Sequence, residues 1–137
     1  SYVELYKGGI VPVADFVNMP YARDILVRVI VKKTAAHYSY KSVRISKTDF
    51  PVLTCAAALT QEGVQAAVGA RPAKAALVKD AEQLATLPMT AEKAQAFAEY
   101  AAGLLPTETN PRGSAAYRTH LIKVLTARCL TELGGKA

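Results

Sequence analysis

The stretch from Gly113 to Leu133 is the clearest helical segment of the 137-residue chain, and it restricts the folds that the chain can adopt. Ser114 is a suitable N-cap, because its hydroxyl can accept hydrogen bonds from the free backbone N–H groups of the first turn. Apolar residues recur at helical spacing and predict a wide buried stripe that consists of Tyr117, Leu121, Ile122, Val124, Leu125, Cys129 and Leu133. The opposite side is predicted to carry Arg118, Lys123, Thr126 and Glu132. A helix with so wide an apolar face must pack on a surface that the rest of the chain builds.

The first half of the chain has the pattern of β-strands. Alternating and β-branched side chains predict strands over residues 2–6, 10–13, 25–31, 38–45, 52–59 and 64–69. Lys7, Gly8 and Gly9 predict the turn of a hairpin between the first two strands, and Pro12 is expected at a sheet edge. The run 52–59 is ambiguous, because its alanines favour a helix. Its short length and its flanking residues favour a buried strand, which we predict.

The second half has the pattern of helices. Alanine-rich segments predict helices over residues 73–86 and 90–104, with Thr90 as the N-cap of the second. Gly134 and Gly135 are expected to end the terminal helix through a left-handed glycine. Because strands come first and helices second, the sequence predicts an α+β fold in which a small antiparallel sheet has three helices packed on one face.

The formal net charge of +6 raises the question of nucleic-acid binding. The basic residues are scattered, however, and no run is longer than a pair such as Lys32 and Lys33. We therefore favour a soluble surface with some positive charge that faces an anionic cofactor or a partner subunit, and we expect no nucleic-acid partner. No apolar run approaches the length of a membrane span and no signal peptide is visible, so we expect no membrane partner and a cytoplasmic location.

Few side chains suggest a reaction. Cys55 and Cys129 lie in apolar runs without Cys-x-x-Cys spacing, which indicates buried small hydrophobic residues in a reducing compartment. His37 and His120 have no cysteine or second histidine at ligand spacing, so we expect no metal site. No sequence-local arrangement of a nucleophile and a base is present, and no catalytic residue is assigned.

Two arginines and a tyrosine have structural interpretations. Arg44 and Arg118 are expected in surface ion pairs, either with Asp49 or with a partner subunit, which contribute little to stability. Tyr117 is expected as a core anchor whose hydroxyl is hydrogen-bonded.

The terminal helix also carries a family resemblance. The run from Ser114 to Leu121 contains a Tyr-Arg pair followed by His-Leu, and it comes after a loop of Asn-Pro-Arg-Gly. This pattern resembles the closing helix of the FAD-binding subunit of the molybdenum hydroxylases, the group that includes xanthine dehydrogenase and carbon monoxide dehydrogenase. Further segments resemble the same subunit in the same order, namely residues 15–16, 24–31, 38–44, 49–59 and 68–72.

The resemblance implies that the chain is the C-terminal portion of such a subunit. Residues 1–33 would be the tail of the FAD-binding domain, and residues 34–137 would form a C-terminal α+β domain like that of the CO dehydrogenase flavoprotein. In the family, glycine-rich loops in the upstream part hold the pyrophosphate, and this sequence has no such loop. FAD would therefore belong to the complete subunit, and this chain alone would bind it weakly and would not be catalytic.

The same resemblance suggests two cofactor-binding residues. Lys41 matches a lysine near the flavin ring, where a cation could stabilise the reduced, anionic flavin; the alternative is a solvated lysine at a strand end. Leu26 matches a position that lines the FAD site, and the alternative is a core residue of a strand. Both alternatives remain open at the level of sequence.

The family also implies partners. Molybdopterin and [2Fe-2S] clusters would reside in partner subunits, which pass electrons to FAD and from there to an external acceptor. We therefore expect the iron–sulfur and molybdopterin subunits as partners and leave homo-oligomerisation open. A different class of function is a stand-alone protein-interaction module that kept the fold without flavin binding, which would present an exposed apolar patch.

Overall fold

The computed structural model describes residues 1–20, 23–34 and 36–135, which belong to two compact units, Ser1–Ala35 and Ala36–Ala137. The first unit contains a three-stranded antiparallel sheet in the order β2-β1-β3 and one short helix. These elements are β1 (Tyr2–Leu5), β2 (Gly9–Pro12), α1 (Val13–Asn18) and β3 (Leu26–Ile30).

The predicted hairpin between β1 and β2 is confirmed. Gly9 in its turn has a φ of 68°, a left-handed conformation that glycine adopts without steric cost. Pro12 lies on the edge strand β2, as predicted, because a proline has no N–H to donate to a neighbouring strand. The carboxylate of Asp24 fastens the turn, since it accepts from the backbone N–H groups of Lys7 at 3.1 Å and Gly8 at 2.9 Å.

The second unit contains a four-stranded antiparallel sheet in the order β4-β5-β6-β7, followed by two helices. These elements are β4 (His37–Val43), β5 (Leu53–Thr60), β6 (Gly63–Gly69), β7 (Ala76–Lys79), α2 (Ala91–Leu104) and α3 (Ala115–Gly134). Helix α3 lies against β4 and β5, and α2 packs on α3. The core between the helices and one face of the sheet includes the fully buried side chains of Leu53, Val68, Phe97, Ile122, Leu130 and Leu133.

The α+β class is confirmed, but the prediction of a helix over residues 73–86 is wrong, so the described part of the second unit has two of the three helices predicted for one face of the sheet. Residues 76–79 form the edge strand β7, and the third helix is α1 in the first unit. Pairing with β6 outweighs the helix propensity of the alanines, and Asp80 ends the strand by accepting from the backbone N–H groups of Leu84 and Ala85. Gln83 has a φ of 56°, which a helix cannot include.

The buried side of α3 differs from the predicted stripe. Arg118 and Thr126 are fully buried and not on the polar side, whereas Tyr117 is 45% exposed and not a core anchor. The caps are confirmed at the N-termini of both long helices, where the hydroxyls of Thr90 and Ser114 accept from backbone N–H groups. The helix ends at the predicted place, but Gly135 is right-handed with a φ of −81°.

Within the part of the chain that the structure describes, no helix has both the length and the apolar character needed to cross a membrane.

Candidate functional site

Lys41 and Glu132 form an ion pair between β4 and α3. The Nζ atom of Lys41 lies 2.8 Å from Oε2 of Glu132, and the two side chains are 33% and 38% exposed. Side chains alternate along a strand, so Ser39 shares this face of β4 with Lys41, and its hydroxyl donates to the same Oε2 at 2.9 Å. Ser39 is buried. The carboxylate of Glu132 therefore fastens the edge strand of the sheet to the last turn of the helix.

The ion pair keeps Lys41 charged. The hydrogen bond to Glu132 raises the pKa of Lys41 above its usual 10.5, and burial and the charge of Arg128 oppose this only in part. An ammonium has three N–H donors, so Lys41 can hold Glu132 and also donate to a further acceptor. The arrangement presents a cation at a partly exposed position on the edge of the sheet.

Two thiols lie beneath this pair. Cys55 is the register partner of Lys41 on β5, and Cys129 lies one turn before Glu132 on α3. Both cysteines are fully buried, as predicted, and the Cys129 thiol donates to the carbonyl oxygen of Cys55 at 3.8 Å. The Sγ atom of Cys55 lies 3.4 Å from the hydroxyl of Thr126. Thiol, hydroxyl, ammonium and carboxylate groups thus meet between β4, β5 and α3.

The environment makes the two thiols unequal. The hydrogen bond from Cys55 is the largest effect that lowers the pKa of Cys129, to about 7; the hydroxyl of Ser39 and the charge of Lys41 also lower it. Burial and the carboxylate of Glu132 oppose this shift. The pKa of Cys55 is raised, because its proton is held by the hydrogen bond to Cys129 and because the thiol is buried.

Leu26 lies in the first unit, whereas Lys41 lies in the second. It opens β3, pairs with Leu5 on β1 and is 48% exposed. In this chain by itself, Leu26 is therefore not a core residue of the strand, because about half of it is exposed to solvent. Val27 and Val29 on the same strand are exposed to a similar extent, at 52% and 57%.

The arginine predictions are corrected in part. Arg44 does contact Asp49, but it donates to the backbone carbonyl at 2.6 Å, and Arg112 approaches the Asp49 carboxylate at 3.5 Å. Arg118 is not in a surface ion pair. Its guanidinium is fully buried and donates to the carbonyl oxygens of Val52, Glu108 and Gly113 and to the side-chain oxygen of Asn110.

The histidines do not take part in this cluster. His37 opens β4 and His120 lies on α3, and both are exposed. Among residues 1–20, 23–34 and 36–135 no group of three or more histidine, cysteine, aspartate or glutamate side chains is arranged to hold a metal ion.

The sequence reasoning placed Glu132 on the polar side of its helix and did not connect it with Lys41. A signal was present, because Cys129 and Glu132 are three residues apart and therefore share one helix face. The alternation of Ser39 and Lys41 along β4 gave the matching face of the strand. Finding the pair required the knowledge that α3 crosses β4, which is a property of the tertiary fold.

Comparison with known proteins gives a consistent result. A family model described as the CO dehydrogenase flavoprotein C-terminal domain matches residues 38–133. This range contains β5 to β7, α2, all but one terminal residue of β4 and of α3, and the Lys41–Glu132 pair. No curated protein sequence matches the chain significantly.

Solved structures share the fold. Quinoline 2-oxidoreductase from Pseudomonas putida 86 superimposes with a TM-score of 0.77 and 24% identity, over 99% of this chain and 52% of that chain. Carbon monoxide dehydrogenase from Hydrogenophaga pseudoflava, in a form that lacks the Mo-pyranopterin moiety of the molybdenum cofactor, superimposes with a TM-score of 0.77 and 20% identity, over 99% and 53%. The chain spans about half the length of these two structures.

Proposed function

Because the chain belongs to the CO dehydrogenase flavoprotein C-terminal domain family, we propose that it is the C-terminal portion of a FAD-binding subunit of a molybdopterin-dependent oxidoreductase. The match over residues 38–133 carries this proposal. In it, residues 34–137 form the C-terminal domain and residues 1–33 form the tail of the FAD-binding domain. The domain closes one side of the flavin site and contacts other subunits.

Lys41 is the residue that we assign to the flavin. Its ammonium is partly exposed, is kept charged by Glu132 and retains donors for a further acceptor. When bound, FAD would supply the electron-accepting chemistry of the subunit. The role of Lys41 is to place a positive charge where an anionic ring can accept a hydrogen bond, and the role of Glu132 is to hold that charge in position.

Leu26 is the second residue assigned to the cofactor. Its side chain is 48% exposed, so it can offer an apolar surface to a ligand. Because the sequence has no glycine-rich loop that could approach a pyrophosphate, we propose that these contacts add to binding made elsewhere in the subunit. This chain alone would then bind FAD weakly.

The partners follow from the same proposal. Quinoline 2-oxidoreductase and carbon monoxide dehydrogenase each extend well beyond the part that matches this chain. We propose that this chain works with subunits that hold molybdopterin and [2Fe-2S] clusters, from which electrons reach FAD. The residues of this chain position and enclose the flavin, and the substrate binds elsewhere.

The test is a calorimetric titration with FAD of the chain alone and of a mixture with a flavin-binding domain that supplies the glycine-rich loops. The proposal predicts weak binding by the chain alone and tighter binding by the mixture than by the flavin-binding domain alone. Equal FAD affinity of that domain with and without this chain would contradict a role in closing the site. A tight, stoichiometric FAD complex of this chain alone would contradict the proposal that most of the FAD binding is made elsewhere in the subunit.

A second candidate is a protein-interaction module without a flavin role, favoured by the exposed apolar residues of two sheets. Tyr38 and Tyr40 on β4 are each 59% exposed and Leu77 on β7 is 55% exposed; Tyr40 and Leu77 share one register row across the sheet. A solution mass above that of the monomer, together with no effect of this chain on FAD binding, would favour the module over the flavin role.

A further inference from the structure

The only two cysteines of the sequence are 74 residues apart in the chain and meet at the contact between β5 and α3. The Sγ atom of Cys129 lies 3.8 Å from the carbonyl oxygen of Cys55, so it sits directly above the residue that carries the other thiol. The Cys55 side chain points to the same side of the sheet, where its Sγ atom contacts Thr126 of α3. The two thiols therefore lie at the same contact between β5 and α3, where they hydrogen-bond to each other.

The groups around the two thiols give them different roles. The hydrogen bond from Cys55 lowers the pKa of Cys129 most, Ser39 and the ammonium of Lys41 lower it further, and burial and Glu132 oppose this. Cys55 keeps its proton because it donates to Cys129 and is buried, although its contact with Thr126 acts in the other direction. The thiolate is the nucleophilic form of a cysteine, so Cys129 is the thiol that reacts first and Cys55 is the one that follows.

We propose that Cys55 and Cys129 are an oxidisable dithiol that closes to a disulfide between β5 and α3 when it meets a peroxide. The thiolate sulfur of Cys129 attacks one oxygen of hydrogen peroxide, the O–O bond breaks, and hydroxide leaves to become water. Cys129 is then a sulfenic acid. The sulfur of Cys55 attacks the sulfur of Cys129, the S–O bond breaks, and the proton of Cys55 leaves with that oxygen as a second water. Two thiols lose two electrons and two protons, and one peroxide becomes two waters.

The Lys41–Glu132 pair is a partly exposed neighbour of the two thiols. Its side chains are 33% and 38% exposed, whereas both cysteines are buried. Peroxide is close to water in size, so it needs only a small local opening to reach the thiols. The disulfide would join Cys55, the register partner of Lys41, to Cys129, which lies one turn before Glu132. Oxidation would therefore affect how β4 and α3 hold this ion pair. The inference does not depend on the flavin role.

The test is intact mass spectrometry of the folded chain after treatment with stoichiometric hydrogen peroxide. The proposal predicts the loss of two hydrogen masses from the monomer, the loss of both thiols titrated by a maleimide, and a higher unfolding temperature that a dithiol reductant reverses. In Cys55→Ser, whose hydroxyl can still donate to Cys129, the expected product is a sulfenic acid on Cys129, detected as the gain of one oxygen mass and as a dimedone adduct that forms when the treated chain is unfolded. In Cys129→Ala, Cys55 should remain a free thiol.

Four results would overturn the proposal. The first is two free thiols in the treated wild type, under conditions that oxidise both cysteines of the urea-unfolded chain. The second is a disulfide only between two chains, and the third is a dimedone adduct on Cys55 but not on Cys129. The fourth is a disulfide that does not raise the unfolding temperature. The wild-type mass decides the question even if a variant does not fold.

Discussion

The guanidinium of Arg118 on α3 donates from Nε to the backbone carbonyl oxygen of Val52, across 3.1 Å. Val52 is the residue before β5, so this hydrogen bond ties the first turn of the terminal helix to the start of the central strand. The same side chain holds the loop before α3 through Glu108, Asn110 and Gly113. A buried arginine, rather than apolar packing alone, thus fixes where α3 begins on the sheet.

The first prediction follows from this network. Arg118→Met should lower the free energy of unfolding by about 3–5 kcal/mol, because several buried carbonyl groups lose their donor at once. Arg128→Met is the matched control: Arg128 lies on the same helix but is exposed, so its replacement should change stability by less than about 0.5 kcal/mol. Urea denaturation followed by circular dichroism measures both. Equal effects of the two substitutions would show that the network contributes no special stability.

The second prediction concerns acid and the first unit. Burial acts to raise the pKa of Asp24, but hydrogen bonds from the backbone N–H groups of Ile25, Lys7 and Gly8 outweigh it, and the pKa lies below its usual 3.8. A lowered pKa means that the stabilisation is complete above 3.8 and is lost as the pH falls through the value in the fold. The Gly8 amide should therefore stay protected from hydrogen exchange at pH 3.8 and lose protection at lower pH. Asp24→Ala, which has no side-chain acceptor, should lose it at neutral pH, whereas the exposed Asp15→Ala should not. Similar exchange in the two variants would contradict the role of Asp24.

The third prediction concerns the thiol beside the ion pair. With a pKa of about 7 for Cys129, its ionisation, followed by the ultraviolet absorbance of the thiolate, should be half complete near that pH in the folded chain and near pH 9.0 in the unfolded chain. Glu132→Gln should move the folded midpoint lower, since the Glu132 carboxylate raises this pKa. Glu99→Gln on α2 is the control, because Glu99 is exposed and bonds to Gln95.

The same titration has a consequence for stability. Ionisation of Cys129 raises the free energy of unfolding, an effect that is complete above pH 9.0 and is lost as the pH falls through about 7. The raised pKa of Cys55 has the opposite effect, because it lowers the free energy of unfolding at a pH where the unfolded thiol ionises. A folded midpoint near 9.0, unmoved by Glu132→Gln, would contradict the description of the cluster.

Much of the fold was readable from local sequence patterns. The hairpin at Gly9 and the caps at Thr90 and Ser114 each depend on a few neighbouring residues, and the structure has them where they were predicted. The strand predicted over residues 52–59 is also present, at Leu53–Thr60. Residues 76–79 were misjudged, because their strand exists only through pairing with β6 and their alanines favour a helix in isolation.

The site was less readable, for a related reason. Arg118 and Thr126 have polar side chains. The apolar periodicity of a helix cannot predict that they will be buried against the carbonyl of Val52, just before β5, and the thiol of Cys55 on β5. Glu132 was likewise assigned to solvent, although it meets Lys41 and Ser39. A lysine at this position was chosen through family resemblance, and its anchoring by Glu132 could be seen only in three dimensions.

The measurement that tests the flavin role most directly compares three forms of the chain, each mixed with a flavin-binding domain and titrated with FAD. They are the wild type, Lys41→Met and Lys79→Met. Lys79 is the matched control, because it lies on the other edge strand of the same sheet and pairs with Glu62 at 3.0 Å, but is 62% exposed. The account predicts that the wild type and Lys79→Met tighten FAD binding equally. Lys41→Met should be about tenfold weaker, as expected for the loss of one charge-assisted hydrogen bond. Identical FAD affinity with all three chains would contradict the assignment of Lys41 to the flavin.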